Sequence, residues 1–322
     1  MFKTIRRILL AGAVFTLACP GMAAGTANLP TRIVVASSPG GNLDFLGRIL
    51  ASELNKVTSK EYFVENRAGA GGNIGTAHVA LAKPDGHTLL IISTSHTSNV
   101  HIYREVGYDP IKSFSPVTSL AESAFAIVVP ATSSFKTVSD MVDAAKAKPG
   151  VLNYGSSGIG QGNHLGMELL KSSLDLDMLH IPFMSAGALT TAVMGNQVDV
   201  AMLTLPGAIA GQEAGKLRIL GVTTEERVPM LSDVPTIQEA VGLDFDLTSW
   251  QGLVAPAGVP QDQIKALNQQ IATIMAKPEV IEQLNRVALT PKVVSPDEFE
   301  QFLVRETARW GDVIKKAGIK AQ

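Results

Sequence analysis

The chain predicts an α/β protein of two domains joined by a pair of crossing strands, and three observations carry that expectation. Apolar runs of strand length alternate with segments of helical periodicity; the alternation occurs in two separate series; and each series is followed by an extended, proline-ended strand. The first series reads as a strand at 32–36, a helix at 45–56, a strand at 62–65, a helix at 73–82 and a strand at 87–92 that runs into a polar Ser/Thr/His stretch. In the second, a strand at 152–155 precedes a helix at 163–172, a strand at 178–181 precedes a helix at 188–194, a strand at 198–203 precedes a helix at 207–214, and a strand at 217–223 closes the set. Strand–helix alternation of this kind favours a largely parallel sheet. The crossings are Phe125-Ala-Ile-Val-Val-Pro130 and Trp250-Gln-Gly-Leu-Val-Ala-Pro256. Helices at 260–275, 278–287 and 296–317 follow, each with proline at or near its first turn.

The expected domains are therefore 25–124, 125–249 and a return segment, 250–322, that completes the first domain, behind a leader at 1–24. A double crossover of this sort is a natural hinge around an interdomain cleft, a preferred place for ligands.

The leader has a basic start (Lys3, Arg6, Arg7), a short apolar run and small residues ending near Ala23-Ala24, the pattern of a cleavable secretory signal. Its apolar run is too short for a membrane span of about 20 residues. The lone cysteine, Cys19, falls inside it, and Thr16 stands where lipid attachment would want a leucine-like residue. The mature protein is then expected to be cysteine-free and held by its core. Cleavage removes three positive charges and no negative ones, leaving 24 basic residues against 29 acidic, so nucleic acid and anionic membrane surfaces are not expected partners.

Two glycine-rich turns each lead from a strand into a helix: Ser37-Ser-Pro-Gly-Gly-Asn-Leu-Asp44 and Gly155-Ser-Ser-Gly-Ile-Gly-Gln-Gly-Asn-His164. Either presents free backbone N–H groups at a helix N-terminus, a ready anion site. In the first, Ser37, Ser38, Gly40, Gly41, Asn42 and Asp44 are the candidates, with Asn42 and Asp44 also reading as plain helix caps. In the second they are Ser156, Ser157, Gly160, Gln161, Gly162 and His164, the histidine reading equally as packing. Thr94, Ala186, Gly187 and Thr204 stand at other strand exits and complete the candidate set.

Neither turn carries lysine or arginine, so a bound carboxylate would rest on amides, hydroxyls and helix dipoles. A third cluster, Gly69-Ala-Gly-Gly-Asn-Ile-Gly75, lacks dinucleotide-binding spacing and reads as a cleft-edge loop. The six histidines show no metal-ligand spacing and no Gly-x-Ser-x-Gly elbow is present, so no metal, cofactor or catalytic set is expected. Trp250 reads as hinge packing and Trp310 as helix packing.

Several strings resemble one known family: Val64-Glu-Asn-Arg-Ala-Gly-Ala-Gly-Gly-Asn-Ile-Gly75, Lys83-Pro-Asp-Gly-His-Thr-Leu-Leu90, Tyr108-Asp-Pro110, Lys146-Ala-Lys-Pro-Gly-Val-Leu-Asn-Tyr-Gly155, His180-Ile-Pro-Phe183 and Asp233-Val-Pro-Thr236. Together they look like the Bug family of periplasmic substrate-binding proteins of tripartite tricarboxylate transporters, from residue 30 to the C-terminus. The resemblance implies a type II, Venus-flytrap binding protein, monomeric and periplasmic, that closes on a small organic acid and delivers it to membrane transporter subunits. It implies too that the acid's proximal carboxylate sits between the two turns. A ligand sensor for a signalling partner, or a secreted hydrolase, are the alternatives.

The chain departs from the family in two places. The usual first turn, Pro-Phe-Pro-Pro-Gly-Gly-Ala-Thr-Asp, is here Ala36-Ser-Ser-Pro-Gly-Gly-Asn-Leu-Asp44, without the aromatic and the threonine hydroxyl. Met184 follows Phe183 where a basic residue is common, which would favour an apolar tail on the ligand over a second carboxylate if that position nears the ligand.

Overall fold

The computed structural model describes residues 29–319, so the leader and Cys19 lie outside the described residues. The chain enters through β1 (Thr31–Val35), α1 (Asn42–Val57), β2 (Tyr62–Asn66), α2 (Asn73–Ala80), β3 (Thr88–Ser93) and α3 (Thr94–Ile102). It then runs along a 17-residue strand, β4 (Phe114–Pro130), into α4 (Val138–Ala147), β5 (Asn153–Ser156), α5 (Gly162–Leu174), β6 (Leu179–Pro182), α6 (Ala186–Met194), β7 (Val200–Thr204), α7 (Leu205–Glu213), β8 (Leu217–Val222) and α8 (Ile237–Val241). It returns through β9 (Thr248–Pro256) to α9 (Gln261–Met275), α10 (Pro278–Asn285), β10 (Thr290–Pro291) and α11 (Pro296–Lys316).

The strand order is β2-β1-β3-β9-β4-β7-β5-β6, with β8 and β10 also on β4. At each end the strands are parallel, β1 between β2 and β3 and β5 between β6 and β7. The expected largely parallel sheet is in fact mixed, because β4 and β9 run antiparallel to their neighbours. β4 changes partners midway: Phe114–Ala124 pair with β9, and Phe125–Pro130 with β7 and β8. This is a two-domain fold of the type II binding-protein kind.

β4 is longer than the run at 125–130 because its first half carries Pro116 and several hydroxyls and is broken by register shifts at Pro116/Thr118 and Ser119/Ala121. Bulges accommodate a proline that cannot donate to the ladder, and they also erase the period-two alternation by which a strand is read. Three helices lie outside the sequence expectation. α3 occupies the polar Ser/Thr/His stretch; α4 and α8 each begin with a capping box, Thr137 with Asp140 and Thr236 with Glu239.

Each domain has two apolar cores, and α11 belongs to both domains. Its Phe299 and Leu303 pack with Val34, Leu90 and Trp250, while its Trp310, Val313 and Ile314 pack with Phe125, Tyr154 and Leu165. Capping box Ser295/Glu298 and Pro296 fix where the helix starts. The carboxylate of Glu306 accepts from the indole N–H of Trp250 at 3.2 Å and of Trp310 at 2.9 Å, and so ties one core to the other.

A candidate anion-binding cleft

The second glycine-rich turn is built from inside. Ser156 at the end of β5 is fully buried, and its hydroxyl lies 2.6 Å from His180 Nε2 and accepts the Gly158 N–H at 3.2 Å. The Gly160 N–H donates to His164 Nδ1 at 3.1 Å, and the Gly160 carbonyl accepts from Ser98 of α3 at 3.2 Å. Gly160 has a φ of +81°, and a Cβ there would lie 2.3 Å from Ile102, so both the conformation and the space demand glycine.

Ser156 beside a histidine imitates a nucleophile and its base, yet Ser156 is fully buried beneath the turn, its hydroxyl engaged by the Gly158 N–H and by His180. Among the described residues no cluster of His, Cys, Asp or Glu has the arrangement of a metal site, and no helix is long and apolar enough to cross a membrane.

Since His164 Nδ1 accepts, its proton sits on Nε2 and the ring is neutral. It stacks on His180 at 4.0 Å between centroids. Burial pushes the His164 pKa down to about 3 and that of His180 down to about 4. A depressed histidine pKa stabilises the fold fully above the unfolded value near 6.5, and that contribution is lost as pH falls toward the folded value. At pH 5 the cost for His164 is about 2 kcal/mol. The wild type should therefore melt lower at pH 5 than at pH 7.5, and His164→Gln, which keeps an acceptor that does not titrate, should show a shallower loss; equal slopes from thermal melts would exclude this origin.

Ser157, Gln161, Gly162 and Asn163 border a cleft of about 320 Å³ that also takes in Ser93, Thr94 and Ser95, Ala186, Gly187 and Thr190, Leu203, Thr204 and Gly207, with Phe125 of β4 and Ser249 of β9. These places share one feature. The N-termini of α3, α5, α6 and α7 all open into the cleft. The residues that precede three of them, Ser93, Gln161 and Thr204, make no side-chain cap bond; only α6 is capped, by Ser185. First-turn N–H groups at these three ends are thus left without side-chain caps at the positive ends of their helix dipoles, Pro206 of α7 having no N–H to offer. No lysine or arginine lines it.

Of the sequence candidates, Thr94, Ser157, Gln161, Gly162, Ala186, Gly187 and Thr204 meet on this wall. Ser156, Gly160 and His164 do not: they form the buried support of the turn. Ser37, Ser38, Gly40, Gly41, Asn42 and Asp44 do not line it either.

Ala36, which precedes the first turn, lies against Gly72, and Gly72 in turn approaches Ser95 of the cleft. Neither Asn42 nor Asp44 caps α1, contrary to the expectation from the sequence. α1 is preceded by Gly41 without a side-chain cap. Asp44 is buried and instead accepts from the Gly40 N–H, from Arg48 Nε and Nη2 and from Asn66, each at 3.0 Å. Arg48, the Gly40 amide and Asn66 hold its carboxyl below the usual range against the opposing effect of burial. Its acceptor sites are spent on shaping the turn.

Met184 is 97 % exposed and does not line the cleft, two residues before Ala186, which does. Trp250 is likewise off the cleft. Ser93, Ser95, Phe125, Thr190, Leu203, Gly207 and Ser249 were not anticipated; the usable signal for Ser93 and Ser95 was a Ser/Thr run at the end of a buried strand.

A larger groove, of about 800 Å³, is bounded by Glu122, Glu225, Glu226 and Asp246 with Arg227 and Lys292. Lys292 is paired with Glu122, and Arg227 with Glu239, so the groove offers no unpaired cation for an acid.

Residues 46–319 match the family described as tripartite tricarboxylate transporter family receptor. The chain is 33 % identical over 293 residues, 91 % of its length and 87 % of the relative's, to a protein of Pseudomonas sp. strain P51 described from the tcbD-tcbE intergenic region. Among solved structures it is similar to an R. palustris protein with adipate, at 30 % identity and TM-score 0.82, covering 92 % of this chain and all of that one. It is similar also to MatC from Rhodopseudomonas palustris with bound malate, at 28 % identity and TM-score 0.78, covering 90 % and 99 % of the two chains. The architecture, the cleft and the match over most of the chain lead to one statement: this chain belongs to the tripartite tricarboxylate transporter family of receptors.

Proposed function

We propose that the protein is a periplasmic receptor that holds a small organic acid by its carboxylate in the 320 Å³ cleft and hands it, as a monomer, to membrane subunits of a tripartite tricarboxylate-type transporter. The observation that carries this reading is the convergence of four helix N-termini, three without side-chain caps, on a cleft that contains no cation. Such an arrangement recognises negative charge through amides and hydroxyls and does no covalent chemistry. Each helix end contributes roughly 0.3–1 kcal/mol, up to about 2 when partly buried, and hydrogen bonds to a charged group about 1.5–3 each. Together these reach the −8 kcal/mol or so of a micromolar complex.

The relatives solved with adipate and malate support a carboxylate as the group recognised. We place the domain limits at 124/125 and 249/250, near where β4 exchanges partners and β9 returns, and the export signal at 1–24. Hinge bending there carries the first turn, Ser38 to Gly41, toward the mouth of the cleft, where Ser37, Ser38, Gly40 and Gly41 meet the bound acid.

Thermal melts of refolded protein against a carboxylic-acid panel test this. An acid present at a hundred times its dissociation constant should stabilise by about 2.7 kcal/mol. If no acid in a panel spanning mono-, di- and hydroxy acids, aliphatic and aromatic, shifts the melt, the proposal fails.

A further inference from the structure

Two polar residues of the hinge strand β9, neither anticipated as part of the site, form a device on the cleft floor. Antiparallel pairing sets Ser93 opposite Gln251 and Ser123 opposite Ser249, and directly paired residues share a face, as do residues two apart on a strand. Ser93 and Ser249 line the cleft on that face. Gln251 lies one row deeper and is 3 % exposed.

Its amide nitrogen donates to the Ser249 carbonyl at 3.1 Å and to the Ser249 hydroxyl at 3.2 Å. A carbonyl oxygen only accepts, so the atom facing it must be the nitrogen, and the amide orientation is fixed. The Ser249 Oγ is therefore an acceptor toward Gln251. Its own proton is directed elsewhere and meets no protein acceptor among the described residues.

The remaining amide oxygen, Gln251 Oε1, is buried with no protein donor among the described residues. A buried acceptor left in that state lowers stability, which a methionine filling the same space would not do. A glutamine kept at such a position for packing alone is a poor choice, whereas one that orients a cleft-lining hydroxyl has a use.

Resting on the receptor reading above, we propose that Gln251 is a positioning residue that makes the Ser249 hydroxyl a fixed donor on the cleft floor, selecting acids that carry a second, uncharged oxygen acceptor. The floor donor is neutral and the cleft holds no cation. A second carboxylate there would be desolvated without a counter-charge, while a hydroxyl or carbonyl oxygen needs none.

Three matched pairs of acids test it by calorimetry: butanoate with 4-hydroxybutanoate, hexanoate with 6-hydroxyhexanoate, and benzoate with 4-hydroxybenzoate. The wild type should bind the hydroxy acid roughly three- to tenfold more tightly than its partner in at least one pair. Gln251→Met should lose that preference while binding the unsubstituted acid within about twofold of wild type, and Ser249→Ala should lose the preference as well. Gln251→Met should also melt no lower than wild type, which a purely structural role would not allow. Equal affinities within every pair for the wild type, or a preference retained by Gln251→Met, overturn the proposal. Failure of all six acids to bind the wild type while a dicarboxylate of the wider panel shifts its melt also overturns the proposal; no shift with any acid of that panel is a different result, the failure of the receptor reading on which the proposal rests.

Discussion

Gln161→Asp is expected to weaken acid binding by more than a hundredfold and at the same time to raise the melting temperature. Gln161 precedes α5 in extended conformation, borders the cleft and makes no cap bond. Aspartate is a far better residue for that place, and its carboxylate should take up the N–H groups at the start of α5, adding about 1 kcal/mol of stability, or close to 2 °C. The same carboxylate then occupies the spot left for the ligand's carboxylate and repels it. At about 4 Å and an effective dielectric near 20 that repulsion is about 4 kcal/mol, well beyond a hundredfold. Gln161→Asn covers the same N–H groups without a charge, so it should share the gain in stability and lose clearly less affinity than the aspartate variant. Calorimetric titration beside thermal melts separates the two. Binding retained by the aspartate variant would mean that the amides of α5 do not hold the acid.

Glu306→Leu should be among the most destabilising single changes in the molecule. Glu306 is buried, its carboxylate receives both Trp250 and Trp310, and Arg309 Nη1 stands 3.3 Å away. Trp250 packs edge-on to Phe299 and Phe302 in one domain, and Trp310 packs in the core of the other. Leucine removes the acceptor and leaves two buried indole N–H groups unpaired, at about 1–3 kcal/mol each. A loss of about 2–5 kcal/mol and a fall in melting temperature of roughly 5 °C follow. Glu306→Gln retains an acceptor oxygen and should lose no more than about 1 kcal/mol. Similar denaturation midpoints for the leucine and glutamine variants would show that the shared carboxylate does not join the two cores.

The strand–helix grammar of both domains was legible because buried strands such as β3 and β7 are continuous apolar runs, and because proline marks the starts of α9, α10 and α11. α3 was not legible for a physical reason. The residues it buries include Thr94, His96, Thr97, Ser98 and Asn99, held by partners such as Pro110, Gly160 and Asn73, so hydrogen bonds take the place of an apolar stripe. The first half of β4 was hidden by its bulges.

At the site, short strand exits into helices betrayed the second turn and the starts of α6 and α7. Asp44 misled because its position at the head of α1 suggests a cap, while its actual donors include Asn66, on another strand. Ser249 and Gln251 carry no local signal at all: two polar residues in a hinge strand acquire meaning only from the register that sets them beside Ser93 and Ser123.

Uncapped helix N-termini in the small cleft are proposed to hold a carboxylate without help from any cation. A crystal structure of the protein with the acid that most raises its melting temperature tests this most directly. The expected result is a carboxylate within hydrogen-bond distance of the first-turn N–H groups of α5 and at least one of α3, α6 and α7, with the first glycine-rich turn drawn over the mouth. A carboxylate paired with lysine or arginine, or seated in the larger acidic groove beside Glu122 and Asp246, would contradict it.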